Sequence, residues 1–178
     1  MHILPVTFKQ FNITQSVPVQ KPDTQCELVQ AFCENFKLPD ERKNHAQFDE
    51  SLVKKIASYK ECAVKPVVDM LKTAQSEKDI TAGLFLLNRI IDAGAKGVEN
   101  TYPVISRFNY SESHNVQVML AGIYRKTLVP DAFGPLVTMF MKNSQKPVQI
   151  PFDPNEEVGG AILEYLRSKA SVNNYSKN

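Results

Sequence analysis

The sequence has no tryptophan, few cysteines and histidines, almost no excess charge of either sign and no long apolar run. Each shortage excludes something. The three cysteines, Cys26, Cys33 and Cys62, are odd in number and irregularly spaced, with no C-x-x-C, so neither a disulfide framework nor a structural zinc site is expected. Cys26 and Cys33 fall in one stretch that reads as helix and stand roughly 10 Å apart along it, too far to bond to each other. They are expected as small buried apolar residues sharing a face with Val29 and Phe36. His2, His45 and His114 have no His or Cys partner at ligand spacing, so no metal is expected. Residues 1–10 lack the basic start and continuous apolar stretch of a secretory signal. Leu84-Phe85-Leu86-Leu87 is soon broken by Asn88 and Arg89, far short of the ~20 residues that span a membrane. Without a signal, the glycosylation sequons at Asn12, Asn109 and Asn174 read as coincidence, and a reducing cytoplasm is the expected location.

Charge excludes a further class. Lys plus Arg number 21 against 19 Asp plus Glu, a net charge of +2, which leaves no footprint for a nucleic-acid binder. Lys54, Lys55, Lys60, Lys65 and Lys72 could form a basic strip. Asp69, between Lys65 and Lys72 at helical spacing, makes a salt-bridged solvated face the better reading. No G-x-S-x-G, H-E-x-x-H, P-loop or G-x-G-x-x-G is present, so no catalytic residue and no cofactor is assigned. Gly94-Ala-Lys-Gly97 lacks the strand before it and the Ser or Thr after the lysine that a phosphate loop needs. Glu156 and Glu157 face different directions and suit capping, and His114 suits a helix start.

What is present is helical periodicity. Residues 1–21 differ from the rest: Val6, Phe8, Phe11, Ile13, Val17 and Val19 are scattered among polar residues, with Pro5 and Pro18 as breakers. They read as an extended N-terminal arm, packed on the body or docked on another protein or protomer. Residues 22–170 read as one helical-repeat domain, and 171–178 as a flexible polar tail. Asp23 or Thr24 can cap a first helix carrying Leu28, Val29, Phe32 and Phe36, which Leu38-Pro39-Asp40 ends before a polar loop through Asn44. Asp49 starts the next, with Leu52, Val53, Ile56 and Ala57. Further helices are expected at 62–74, 78–93, 100–108, 112–126 and 131–142. Ile80, Leu84, Leu87, Ile90 and Ile91 make the helix at 78–93 apolar enough to be buried on most of its surface, with Gly94 as a left-handed stop. After a Pro-rich loop at 146–154, Asp153 and Pro154 cap and open a last helix with Val158, Ile162, Tyr165 and Leu166.

Three segments align on a proline without gaps: Ala63 to Leu71 on Pro66, Asn100 to Phe108 on Pro103, and Ala132 to Phe140 on Pro135. Each has two aliphatic residues after the proline and Leu or Phe at plus five. The prolines stand 37 and 32 residues apart (66 to 103, 103 to 135), with a helix between successive copies. The pattern predicts helix pairs whose plus-one, plus-two and plus-five residues form a buried stripe, and which must stack to cover it. It resembles the HEAT and armadillo repeat families over residues 49–170. That resemblance implies an all-α fold, a short α-solenoid of stacked antiparallel helix pairs. Such folds often present one helix of each pair to a partner.

If the Pro-bearing helices do so, the positions off the stripe form a ridge: Lys65, Asp69 and Lys72, then Tyr102, Ser106 and Asn109, then Gly134, Thr138 and Met141. Tyr110 and Met139 lie beside it. Tyr and Met suit protein interfaces. The expectation is a non-enzymatic interaction or scaffold module that takes a peptide or protein along this ridge. The alternatives are an enzyme or small-ligand carrier with a pocket between helix pairs, and a homo-oligomer joined through the arm.

Overall fold

The computed structural model describes residues 24–36, 38, 49–147 and 153–175; the arm expected over 1–21, Pro39-Asp40 and the polar loop after it lie outside them. Among the described residues the chain is all-helical, with eight α-helices: α1 Thr24–Asn35, α2 Glu50–Ser58, α3 Glu61–Thr73, α4 Glu77–Asp92, α5 Tyr102–Ile105, α6 His114–Thr127, α7 Phe133–Asn143 and α8 Pro154–Tyr175. No described helix is long and apolar enough to cross a membrane.

The even-numbered helices start on side-chain caps. Asp49 accepts the Leu52 N–H at 3.0 Å, Ser76 that of Asp79 at 3.1 Å, Ser113 that of Val116 at 3.4 Å and Asp153 that of Asn155 at 2.9 Å. Each satisfies an amide that a helix start leaves without an intrahelical acceptor. α3, α5 and α7 have no side-chain cap. α3 follows a turn, α5 and α7 continue directly from 3-10 segments, and each carries its proline.

α2, α4, α6 and α8 pack side by side in chain order. Paired contacts give the direction. Asn88 meets Met119 and Asp92 meets Lys126, so α4 and α6 run parallel. Arg125 meets Glu157 and Tyr165 meets Val129, just past the end of α6, so α6 and α8 do too. On the other side, α1 packs on α3 and α3 on α5. Within pairs the direction reverses: in α7 and α8, Phe133 lies against Tyr165 while Phe140 lies against Gly159. The core fills the space between, with Val53, Ile56, Val67, Leu71, Leu84, Leu87, Ile90, Leu120, Ile123, Tyr124, Leu136, Val158 and Tyr165 buried. In α4, Leu84, Leu87 and Ile90 of the predicted stripe are buried and Ile80 and Ile91 are half-buried. It approaches α3 closely enough that a Cβ on Gly83 would stand 2.6 Å from Leu71 Cδ2.

Many polar contacts between elements span 31 to 38 residues of chain. The Nδ2 of Asn88 donates to the Met119 carbonyl across 31 residues, and Lys126 Nζ donates to Asn88 Oδ1 across 38. Arg107 donates to the Lys72 and Ala74 carbonyls across 35 and 33, satisfying the free end of α3. Ser113 meets Glu77 across 36, and Tyr165 donates to the Val129 carbonyl across 36.

Three expectations need correction. The helix expected over 100–108 is a single α-turn, α5, between 3-10 segments Val98–Thr101 and Ser106–Phe108. The three prolines are not equivalent: Pro66 is buried inside α3, while Pro103 and Pro135 stand in the first turns of α5 and α7. The buried stripe shifts accordingly. Val137, at plus two, is exposed, whereas Ile105 at the same offset is buried. Finally, α8 continues through Tyr175, so 171–175 are helical rather than tail. Ser171 to Asn174 contain no Gly or Pro to stop a helix already propagating.

Candidate functional site

The described surface has a cleft of about 440 Å³ between α1, α3 and the start of α4. Its lining divides by chemistry. Cys33, Pro66, Met70 and Ala74 supply apolar surface; Gln30, Glu34, Asp69, Thr73 and Asp79 supply polar groups. Helical spacing explains the walls: Gln30, Cys33 and Glu34 recur on one face of α1, as do Pro66, Asp69, Met70 and Thr73 on α3.

The acidic groups are positioned. Gln30 Nε2 donates to Glu34 Oε1 at 2.8 Å, and Ser76 Oγ donates to Asp79 Oδ2 at 2.7 Å. Asp69 accepts Lys65 Nζ at 2.6 Å and Lys72 Nζ at 2.9 Å. These two ammonium groups, Lys65 first, hold its carboxyl below the ordinary value. Cys33 is 1% exposed, and burial, with the Glu34 charge adding to it, pushes its thiol up to about 12.

One turn before Gln30 and Pro66, Cys26 and Cys62 form a disulfide, with their Cα atoms 5.3 Å apart. This corrects the expectation of isolated, buried, reduced thiols. Both are half-buried, and the bond joins residues that only the packing of α1 on α3 brings together. Their separation of 36 residues lies within the 31-to-38-residue reach of many inter-element contacts and nearly equals the first proline spacing, which was the signal available in the sequence.

The ridge residues fare unevenly. Lys65, Asp69 and Lys72 stand together, with Asp69 lining the cleft. Tyr102 is turned to structural use, its hydroxyl donating to the Asp131 carbonyl at 2.8 Å and its ring 5.8 Å from that of Tyr124. Asn109 is buried and accepts the Tyr124 hydroxyl at 2.5 Å, so it is not available to a partner. The reason is that the phenol of Tyr124 is itself buried and needs an acceptor. Ser106 is half-buried, and Met139 is buried. Tyr110 is 70% exposed and Met141 59%; Gly134 and Thr138 are exposed on α7. Sequence reasoning missed the α1 wall and Asp79 altogether.

The Gly94–Gly97 turn, with φ of +84° and +76° at its glycines, does hold an anion, but an internal one: the Lys96 N–H donates to Glu61 Oε1 at 2.8 Å. His114, Asp153, Glu156 and Glu157 line a smaller cavity of about 320 Å³ where α6 and α8 begin, with Glu157 paired to Arg125 at 2.8 Å. Among the described residues no three His, Cys, Asp or Glu side chains are grouped to hold a metal ion.

Comparison with family models, with characterised proteins and with solved structures returned no match.

Proposed function

We propose that the chain is a short HEAT-like α-solenoid acting as a non-enzymatic interaction or scaffold module, and that it binds an extended segment of a partner protein in the cleft between α1 and α3. The cleft carries this reading. Its apolar floor suits one aliphatic or aromatic side chain, and Glu34 and Asp79 beside it suit an adjacent lysine or arginine. The repeated reach of the inter-element contacts, 31 to 38 residues between α4 and α6 alone, supports stacked pairs.

A peptide library displayed on phage and panned on the full chain tests it. Selected peptides are expected to pair a large apolar residue with Lys or Arg. Glu34→Lys combined with Thr73→Arg should weaken their binding at least about tenfold while leaving the melting temperature within a few degrees. Peptides that bind the double variant equally well would overturn the reading.

A further inference from the structure

We propose that Cys26 and Cys62 form a thiol-reactive latch: oxidised, the bond locks α1 against α3 and keeps the two walls of the cleft together; reduced by a small thiol, it lets α1 come away and parts those walls. The part concerning the cleft rests on the function proposed above; the latch itself does not.

The geometry separates three thiols into two kinds. Cys26 and Cys62 are half-buried, and so within reach of a dissolved thiol, whereas Cys33 is sealed in the core. Cys33 lies on the same helix as Cys26, and its burial disfavours the thiolate needed for attack. Exchange is therefore confined to one pair. An external thiolate attacks one sulfur of the bond to give a mixed disulfide, and the other sulfur leaves as a thiolate and takes a proton. A second external thiol displaces the protein sulfur from the mixed disulfide. The net change is two protein thiols formed and two small-molecule thiols joined as a disulfide.

The rest of the fold makes that exchange matter. α1 has 12 residues, a length that is marginal for a helix standing alone in water. It packs on α3 and, less extensively, on α2. Its buried anchors are Val29 and Cys33, with Phe36 just after it, and Phe32 lies half-buried near Tyr59, with Lys55 above its ring. The bond closes a loop that contains all of α2, which restricts how far α1 can travel when these contacts open. α8, at the other end, has no such tie and is held by the long interfaces with α6 and α7. In an oxidising compartment the latch stays shut; in a reducing one it closes only on oxidation.

The test uses the full chain, oxidised with glutathione disulfide and then reduced with a phosphine. Reduction should raise the intact mass by about 2 Da, and digestion of the oxidised protein should yield a peptide joining Cys26 to Cys62. Amides of residues 24–35 should exchange with deuterium at least about tenfold faster after reduction, with those of α6 unchanged. Iodoacetamide should label Cys33 faster in the same sample. Cys26→Ser should behave as reduced under both conditions, and Cys33→Ser should still respond. Absence of the linked peptide, or equal exchange of α1 in both states, would overturn the latch. None of these readouts involves a partner, so failure of peptide capture and failure of the latch are separately visible.

Discussion

The two sets of helices solve the same starting problem in opposite ways. α2, α4, α6 and α8 begin on Asp49, Ser76, Ser113 and Asp153, side chains that accept a first-turn amide. α3, α5 and α7 carry a proline and no side-chain cap, and one of them, α5, is only four residues long. The capped set contains α4, with seven of its 16 residues buried, and the polar staple at Asn88. In the proline set, α3 supplies one wall of the cleft, and α7 exposes Thr138 and Met141. Rigidity and display are thus divided between the two sides of the molecule.

The largest expected effect tests that division directly. Leu87→Ala, at a fully buried site in α4, should cost about 2 to 5 kcal/mol by denaturant titration, while Val104→Ala, half-buried in α5, should cost less than about 1.5 kcal/mol. Equal losses would mean that both sets bear load alike. Next come the helix starts. Ser76→Ala should lower stability by about 1 kcal/mol through loss of the cap. Lys60, in front of α3, has φ 49° and ψ −119°, so Lys60→Gly should raise stability by about 1 kcal/mol. Opposite signs in the same melting assay would sharpen the contrast; a loss at Lys60 would break it.

The smallest effect concerns acid. Glu112 accepts Lys142 at 2.6 Å and Lys146 at 2.7 Å, which holds its carboxyl down at about 2 rather than 4.5. A lowered carboxylate contributes stability that is present above its unfolded value and is lost as pH falls through its folded value. Glu112→Gln should therefore flatten the decline of melting temperature between about pH 4.5 and pH 2, with little change at pH 7 other than loss of a surface pair. An unchanged acid limb would remove Glu112 from the account.

Much of the fold was legible because its signals are local. The periodicity of Leu84, Leu87 and Ile90 marks α4, and Asp49 and Asp153 mark helix starts by chemistry that needs no partner. What was hidden depends on a second element. Asn109 reads as an outward residue on a helical wheel, but Tyr124, on another helix, turns it inward. The wheel also assumes a full helix through Ser106, where the backbone tightens into a 3-10 turn. Lys65, Asp69 and Lys72 were legible as neighbours because their contacts lie within one helix, while the α1 wall of the cleft and the Cys26–Cys62 bond exist only through packing.

The 31-to-38-residue reach of many cross-links between helices bears on how the protein is made. As synthesis threads the chain out, a stretch that makes such a contact meets a partner already outside, 31 to 38 residues behind it. A half-finished copy can already be dry inside, and the last helix has only to settle onto what is standing.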